Sequence, residues 1–209
     1  MDRQRVGVLG GTFDPIHYGH LAAAEEAREV LELAKVIFVP SGQPPHKRSH
    51  EMAGGEHRWK MTVLATEDNP AFAVSRVELD RPGTSYTVDT LRLLQEQMPD
   101  SELYFVTGAD MFLDLPAWKE PEEILRSYHF VAVTRPGWNL ERLDGRLSLL
   151  VERYRSQVHV LRVPGVAVSS TEIRQRLQVG RSVRYLVADR VVQYIQQEGL
   201  YRGRATISG

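Results

Sequence analysis

Short apolar runs alternate along most of this chain with longer stretches that mix apolar and charged residues. Six runs rich in Val, Leu, Ile and Phe are typical of buried β-strands, at residues 6–9, 36–39, 72–77, 103–107, 130–134 and 158–163. Between most of them the composition indicates helices, at residues 21–33, 56–67, 87–97, 121–127 and 140–154. Two more helices are predicted near the end of the sequence, at residues 170–178 and 187–197.

This alternation predicts an α/β fold. Strands that alternate with helices are joined by right-handed crossovers into a parallel sheet with both faces covered. We therefore expect a Rossmann-like doubly wound parallel sheet, helices on both faces and a C-terminal helical segment at about residues 169–201. With no internal repeat, low-complexity tract or linker, residues 1–209 are predicted to form a single domain. Sheets of this kind bind ligands at the carboxyl ends of their strands.

Composition and charge narrow the function classes. The 209 residues are 42% hydrophobic, which suits one well-packed domain. A net charge of −1 gives no overall basic field, so we expect neither a nucleic-acid nor a membrane partner. The absence of cysteine excludes disulfides, thiolate catalysis and thiolate zinc sites. Residues 1–5 contain no apolar signal-peptide core, and no apolar run approaches ~18 residues, so a cytoplasmic location is expected.

The string VGVLGGTFDPIHYGH, residues 6–20, joins the first predicted strand to the first predicted helix. Gly10 and Gly11 let a ligand approach the backbone closely. His17 and His20, three residues apart, stand just before the helix and share one face. A strand, a glycine turn and a helix N-terminus direct free N–H groups and the positive end of a helix dipole at one spot. The stretch therefore predicts a phosphate-binding site.

Other interpretations of this stretch fit less well. It contains no lysine for a Walker phosphate loop, and its glycine spacing does not match the G-x-G-x-x-G dinucleotide fingerprint. Zinc-binding histidine pairs on helices more usually stand four apart with a glutamate between them. The plain alternative is a tight turn with two surface histidines. Two histidines, glycines, a threonine and an aspartate at one junction favour the phosphate site over that alternative.

The string GGTFDPIHYGH resembles the signature of nucleotidyltransferases with an H-x-G-H motif, and it is most similar to the bacterial nicotinate-nucleotide adenylyltransferases. The later string SSTEIR, residues 169–174, matches the S-S-T-x-I-R motif of the same family. Together the two motifs are specific enough to indicate the superfamily. The resemblance covers most of residues 6–135 and 164–201, and it is weakest over residues 138–157.

The later motif also has a meaning of its own. A serine-threonine cluster before a helix caps it, but capping explains one hydroxyl and not three. A cation such as Arg174 in the first turn is disfavoured by the helix dipole unless an anion also binds there. In the family this motif embraces the triphosphate of ATP. The resemblance thus implies an ATP site formed by Gly10, Gly11, Thr12, Phe13, His17, His20, Ser169, Ser170, Thr171 and Arg174.

Residues 40–48 follow the second predicted strand and contain a His-Lys-Arg cluster. On charge alone a solvated basic loop explains the cluster. The family has a P-P-H-K loop over the phosphates here, which implies that role for Lys47 and, less firmly, His46. With His17, His20 and Arg174, Lys47 makes up the expected catalytic set.

The resemblance implies that the mononucleotide binds to residues after several other strands. The hydroxyls of the S-Y-T segment could instead cap a helix, Asp110 could do the same, and Trp118 could simply fill the core. A flat pyridine ring, however, stacks well on indole, and Lys119 is a candidate partner for a nicotinate carboxylate. The expected mononucleotide site consists of Lys47, Tyr86, Thr87, Gly108, Asp110, Trp118 and Arg135.

The implied reaction is transfer of the adenylyl group of ATP to nicotinate mononucleotide, with Mg²⁺ as cofactor. The ion is expected to be held mainly by phosphate oxygens and water rather than by a protein metal site. Phosphopantetheine and glycerol-3-phosphate enzymes share the first motif, but the S-Y-T and G-A-D…P-A-W segments favour a pyridine substrate. Nicotinamide mononucleotide or another phosphomonoester as acceptor, a non-catalytic ATP-binding regulator, and a homo-oligomeric state all stay open.

Overall fold

The structure is a computed structural model that describes residues 3–43, 52–134, 145–163 and 168–202. Within these residues six strands form one sheet in the order β3-β2-β1-β4-β5-β6, and every neighbouring pair is parallel. The strands are β1 (Gln4–Gly11), β2 (Lys35–Pro40), β3 (Phe72–Val74), β4 (Ser101–Gly108), β5 (His129–Thr134) and β6 (Val158–Arg162).

Helices connect the strands and follow the last of them. They are α1 (Tyr18–Val30), α2 (Gly55–Thr66), α3 (Thr87–Gln97), α4 (Ala109–Leu113), α5 (Pro121–Ser127), α6 (Gly145–Arg153), α7 (Ser170–Gln178) and α8 (Asp189–Gln197). A single 3₁₀ turn, Leu115–Ala117, lies between α4 and α5. In the described part of the chain, no helix is both long and apolar enough to span a membrane.

The sheet has a hydrophobic core on each face. Successive strand residues point to opposite faces, so Val8 and Phe105 belong to one core while Leu9 and Val106 belong to the other. Helices α3, α4, α5 and α6 cover the first core, and α1, α2, α7 and α8 cover the second. The predicted doubly wound α/β fold with helices on both faces is confirmed.

The strand order places the candidate site. β1 and β4 are neighbours at the centre of the sheet, and the connections run outward from them in opposite directions. This is the topological switch point, where a crevice opens beyond the carboxyl ends of the strands. Gly10 and Gly11 end β1 there, and Gly108 ends β4. Organisation of residues 1–209 as a single domain stays a prediction.

Several element boundaries differ from the sequence predictions. Helix α1 begins at Tyr18 rather than at residue 21, because His17 has the extended backbone of an N-cap (φ −148°, ψ 168°). Strand β3 ends at Val74 rather than at residue 77, because a turn follows in which the Asp80 amide donates to the Arg76 carbonyl. Helix α4 was not predicted from the sequence. Of the predicted helix at residues 140–154, the structure describes Gly145–Arg153, while residues 140–144 lie outside the described ranges.

Candidate active site

The glycine pair at the end of β1 allows a close approach that other residues would block. A Cβ on Gly11 would lie 2.7 Å from the ring of Phe13, and a Cβ on Gly10 would lie 3.2 Å from the ring of Phe105. The Gly11 carbonyl accepts a 2.8 Å hydrogen bond from the Ser41 amide, which ties the end of β1 to the end of β2. The packing at the glycine pair therefore leaves no room for a side chain, and one hydrogen bond joins the pair to the end of β2.

Residues 12–16 form a tight turn after β1. Phe13 has a left-handed backbone (φ 49°), and the Asp14–Pro15 peptide bond is cis. The ring of Phe13 is buried, packs on Phe38, and meets the ring of His20 edge-on at 5.1 Å. Phe13, predicted as an ATP contact, thus uses its side chain to support the turn and the imidazole.

The two histidines of the motif lie together at the start of α1. His17 is the buried N-cap residue, and His20 is the third residue of the helix. Their rings stack, with centroids 3.7 Å apart and planes inclined by 19°. The His17 amide donates to His20 Nδ1 at 3.2 Å, which assigns the proton of a neutral His20 ring to Nε2. An N–H on Nε2 is the donor that an anionic oxygen needs.

The N-terminus of α7 is attached to the same turn. Ser169 caps the helix by accepting a 3.2 Å hydrogen bond from the Glu172 amide, whereas Ser170 Oγ donates to the Pro15 carbonyl at 2.9 Å. Arg174 Nη1 donates to the Asp14 carbonyl at 2.8 Å, and its Nη2 donates to Thr171 Oγ1 at 3.4 Å. The second motif therefore contacts the first, and only one of its three hydroxyls caps the helix.

A buried group that the sequence analysis missed supports this turn. The Asp14 carboxylate, only 1% exposed as a residue, accepts hydrogen bonds from the Tyr201 hydroxyl at 2.6 Å and the Ala53 amide at 3.1 Å. It also lies 3.7 Å from Arg174 Nη1. Burial and the neighbouring Asp14 carboxylate raise the pKa of Tyr201 above its usual range. Tyr201 therefore stays a neutral donor to the carboxylate.

Arg58 is the second residue that the sequence analysis missed. Its side chain is buried and donates to the carbonyls of Thr12 (2.9 Å), Ala53 (3.0 Å) and Gly42 (3.4 Å). Burial lowers the pKa of Arg58, and the Asp14 carboxylate opposes that shift. No local sequence pattern marks Arg58, because the burial of Met61 and Thr62, which share its helix face at i+3 and i+4, is seen only in the structure. Arginine on such a face is rarely buried without partners.

The S-Y-T segment lies beside the end of β2. Tyr86, which is 37% exposed, is the N-cap residue of α3 and makes no side-chain cap, and Thr87 is the first helical residue. Neither Ser85 nor Thr87 therefore caps α3 from the N-cap position. Ser85 instead pairs with Gln43, donating its amide to the Gln43 carbonyl at 3.0 Å and accepting at Oγ from the Gln43 amide at 3.3 Å. The lysine after Trp118, Lys119, bonds Asp89 at 2.9 Å.

The residues after β4 lie next to the start of α3, since Lys119 bonds Asp89 and its ammonium lies 5.1 Å from the centre of the Tyr86 ring. Gly108 is exposed and is the N-cap residue of α4, so Asp110, exposed in the first turn of that helix, does not cap it. Trp118 is half-buried with its ring edge-on to Phe105 at 5.9 Å. Because Phe105 also borders Gly10, the indole lies one side chain from the glycine turn. Lys47, His46 and Arg135 lie outside the described residues.

Comparisons with known proteins show the family of this chain. A family model described as cytidylyltransferase-like matches residues 8–176. The chain is 50% identical over 201 residues to a probable nicotinate-nucleotide adenylyltransferase of Moorella thermoacetica, covering 96% of this chain and 93% of that protein. A protein of the same description from Acidothermus cellulolyticus is 49% identical over 205 residues, covering 96% and 95%. The chain belongs to the nicotinate-nucleotide adenylyltransferase family. The family predicted from the two motifs is thus confirmed.

A solved structure resembles this member of the nicotinate-nucleotide adenylyltransferase family over almost its full length. It is the Plasmodium falciparum nicotinic acid mononucleotide adenylyltransferase complexed with NaAD, with a TM-score of 0.76 and 19% identity. The match covers 95% of this chain and 97% of that one. At that identity the likeness establishes the shared fold.

Proposed function

We propose that this protein transfers the adenylyl group of ATP to nicotinate mononucleotide in the biosynthesis of NAD. An oxygen of the mononucleotide 5′-phosphate bonds to the α-phosphorus of ATP, and the bond from that phosphorus to the bridging oxygen of the β-phosphate breaks. The products are nicotinate adenine dinucleotide and pyrophosphate. Relatives of this description at about 50% identity support the assignment over nearly the whole chain.

One structural observation carries the proposal. The N-termini of α1 and α7 both meet the glycine turn at the switch point of the sheet, where His17, His20 and Arg174 converge on residues 10–16. Helix N-termini, imidazole N–H groups and a guanidinium are all donors to phosphate oxygens. Such a concentration of donors suits a triphosphate.

The chemistry needs alignment and charge stabilisation more than proton transfer. A phosphate monoester with a second pKa near ~6 is largely dianionic at neutral pH and attacks without a general base. In the proposed roles, His17, His20 and Arg174 stabilise the charge that grows on the bridging and leaving oxygens. Gly10, Gly11, Thr12 and the α7 hydroxyls hold the triphosphate in line with the incoming phosphate.

Magnesium is proposed to enter with ATP as part of the substrate. Within the described residues, no group of three or more His, Cys, Asp or Glu side chains could hold a metal ion. The donors around the glycine turn are imidazoles, hydroxyls and amides, which suit phosphate oxygens better than a hard cation. The ion would therefore be held mainly by the phosphates and water, and it would neutralise charge on them.

The mononucleotide is proposed to bind at the side formed by β4 and α3. Trp118 would stack against the pyridine ring, Gly108 and Asp110 would border the ribose, and Tyr86 with Thr87 would border the base. The bond between Lys119 and Asp89 occupies one expected partner of the nicotinate carboxylate. Lys47 keeps its proposed role as a cation near the phosphates, and Arg135 keeps its proposed place in the mononucleotide site.

The decisive experiment incubates the purified chain with MgATP and either nicotinate or nicotinamide mononucleotide. Pyrophosphate is measured with time, and the dinucleotide is identified by mass. We expect rapid pyrophosphate release with nicotinate mononucleotide and slower release with the nicotinamide form. ATP binding without pyrophosphate from either acceptor would overturn the proposal and favour a regulator. The cytoplasmic location and the oligomeric state stay predictions.

A further inference from the structure

Arg58 joins segments that border both halves of the proposed site. Its Nη1 donates to Thr12 in the turn after β1, at 2.9 Å, and its Nη2 donates to Gly42 after β2, at 3.4 Å. Its Nε donates to the Ala53 carbonyl at 3.0 Å. Between Gly42 and Ala53, residues 44–51 lie outside the described ranges. One side chain on α2 thus bonds to the turn at residues 12–16, here called the ATP turn, and to the residues on either side of the segment that contains Lys47.

The contact at Gly42 continues towards the mononucleotide side. The next residue, Gln43, exchanges two hydrogen bonds with Ser85, at 3.0 and 3.3 Å. Ser85 directly precedes Tyr86 and Thr87. A Cβ on Gly42 would lie 2.3 Å from the Glu78 carbonyl oxygen, so the two backbones pack directly against each other and leave no room for a side chain. A continuous set of hydrogen bonds therefore runs from Thr12 through Arg58 to the S-Y-T segment.

A buried counter-charge keeps Arg58 in place. The Asp14 carboxylate favours the charged form of Arg58, and the Asp14 carbonyl also accepts from Arg174. The Ala53 amide donates to the same carboxylate while its carbonyl accepts from Arg58. Movement of the ATP turn would therefore disturb donors on both sides of the crevice, because the charged groups of Arg58 and Asp14 are buried and costly to leave unpaired.

We propose that Arg58 is a positioning residue that couples the two substrate subsites, so that binding of ATP favours binding of the mononucleotide and the reverse. It acts through the carbonyls of Thr12 and Gly42 and touches neither substrate. The inference rests on the proposed function for the identity of the two ligands. Coupling of this kind travels through packed and hydrogen-bonded segments that each ligand orders.

The test measures binding rather than turnover. The dissociation constant of an ATP analogue with a methylene group between the α- and β-phosphorus atoms is determined with and without saturating nicotinate mononucleotide. We expect the mononucleotide to tighten analogue binding by about 10-fold, and the analogue to tighten mononucleotide binding by the same factor. Arg58→Lys, which keeps the charge but loses the fork of donors, should bring that factor close to one.

Arg76→Lys is the matched control. Arg76, which follows β3, also makes ion pairs, 2.6 Å from Glu56 of α2 and 3.0 Å from Asp80. These pairs lie on the outer side of α2, away from the crevice. It should keep the wild-type factor. A loss of folded protein reduces the number of binding sites but leaves the ratio of two dissociation constants unchanged, so the ratio separates positioning from stability. A wild-type factor of one, an unchanged factor in Arg58→Lys, or an equal loss in Arg76→Lys would each overturn the inference.

A second measurement uses the unaltered protein in case Arg58→Lys does not fold. Amide hydrogen exchange is followed at Gly42 and Ala53 after addition of the ATP analogue alone. Slower exchange at both amides supports the coupling, and unchanged exchange overturns it. Pyrophosphate release by the wild type is measured separately: turnover without coupling overturns only this inference, whereas coupling without turnover overturns only the proposed reaction.

Discussion

The imidazole of His17 stacks on that of His20, with ring centroids 3.7 Å apart, and the His17 amide donates to His20 Nδ1. The pair is built into the first turn of α1, with Phe13 packed edge-on against the outer ring. The His17 amide therefore fixes the tautomer of His20, and the rings of His17 and Phe13 fix the direction of its imidazole. This arrangement makes the role of His20 directly testable.

Replacing His20 by alanine should lower turnover by ~100-fold or more, the scale for losing one donor that stabilises developing charge. The fold should stay intact, because His20 is at a helix start and only half-buried. Steady-state pyrophosphate release and circular dichroism check the two parts. His57→Ala is the control, since that ring contacts the Tyr194 hydroxyl at 2.8 Å, outside the proposed site. Near-normal turnover of the His20 variant would count against its assigned role.

Replacing Trp118 by alanine should raise the KM for the mononucleotide by about 10-fold, as expected when an aromatic stacking partner is lost. The KM for ATP should change much less, because Trp118 borders the β4 side of the crevice. Initial-rate measurements with each substrate varied in turn give both constants. Trp59→Phe serves as a control, since Trp59 lies on α2 and the guanidinium of Arg76 packs over its ring. Equal increases in both KM values would indicate that Trp118 is only a core residue.

Replacing Tyr201 by phenylalanine removes the 2.6 Å hydrogen bond to the buried Asp14 carboxylate. A hydrogen bond to a charged group contributes roughly 1.5–3 kcal/mol, so the free energy of unfolding should fall by about that amount. Urea titration of the variant measures it. Tyr194→Phe loses a hydroxyl that contacts the neighbouring histidine His57 rather than a buried carboxylate, so its loss should be smaller. A smaller loss in Tyr201→Phe than in Tyr194→Phe would contradict the structure.

Stability should fall in mild acid because of a histidine pair at the amino-terminal ends of β5 and β6. His129 Nδ1 lies 3.0 Å from His159 Nε2, and its other ring nitrogen lies 2.9 Å from Glu102, with Tyr104 and Arg5 alongside. Burial, and then the charge of His129, lower the pKa of His159 below its ordinary 6.5. Between pH 6.5 and the lowered pKa of the folded state, His159 therefore binds more protons in the unfolded chain than in the folded one, so this site makes the free energy of unfolding decrease as pH falls through that range.

Unfolding by urea at several pH values between about 5 and 7.5 tests this dependence, and His159→Gln should flatten it. Glutamine keeps a polar group beside His129 but does not titrate. If His159→Gln kept the full slope, the acid sensitivity would have to come from other groups.

The fold and the two family motifs could be predicted because their signals are local. Apolar runs mark buried strands, and alternation with helices restricts the topology to a parallel sheet. The motif around His17 and His20 and the one around Ser170 are continuous strings, so each could be interpreted without knowledge of the fold. That both motifs belong to one site was implied by the family resemblance, and the structure joins them at the turn after β1.

Arg58 could not be assigned in the same way because its partners are distant backbone carbonyls. Thr12 precedes it by 46 residues and Gly42 by 16, and no side-chain pattern marks a carbonyl as an acceptor. The buried carboxylate of Asp14 could not be assigned for a similar reason, since its partner Tyr201 is 187 residues away. Short helix α4 has too few residues to show a period. Tertiary contacts, rather than local propensity, determine all of these.

Contacts that span 155, 160 and 187 residues of sequence join α7 and Tyr201 to the turn after β1. Closing such long loops costs chain entropy before any contact compensates for it, so these contacts should form late in folding. A chain that has paired β1 with β2 but has not yet docked α7 therefore has this turn without the guanidinium of Arg174 or the phenol beneath Asp14.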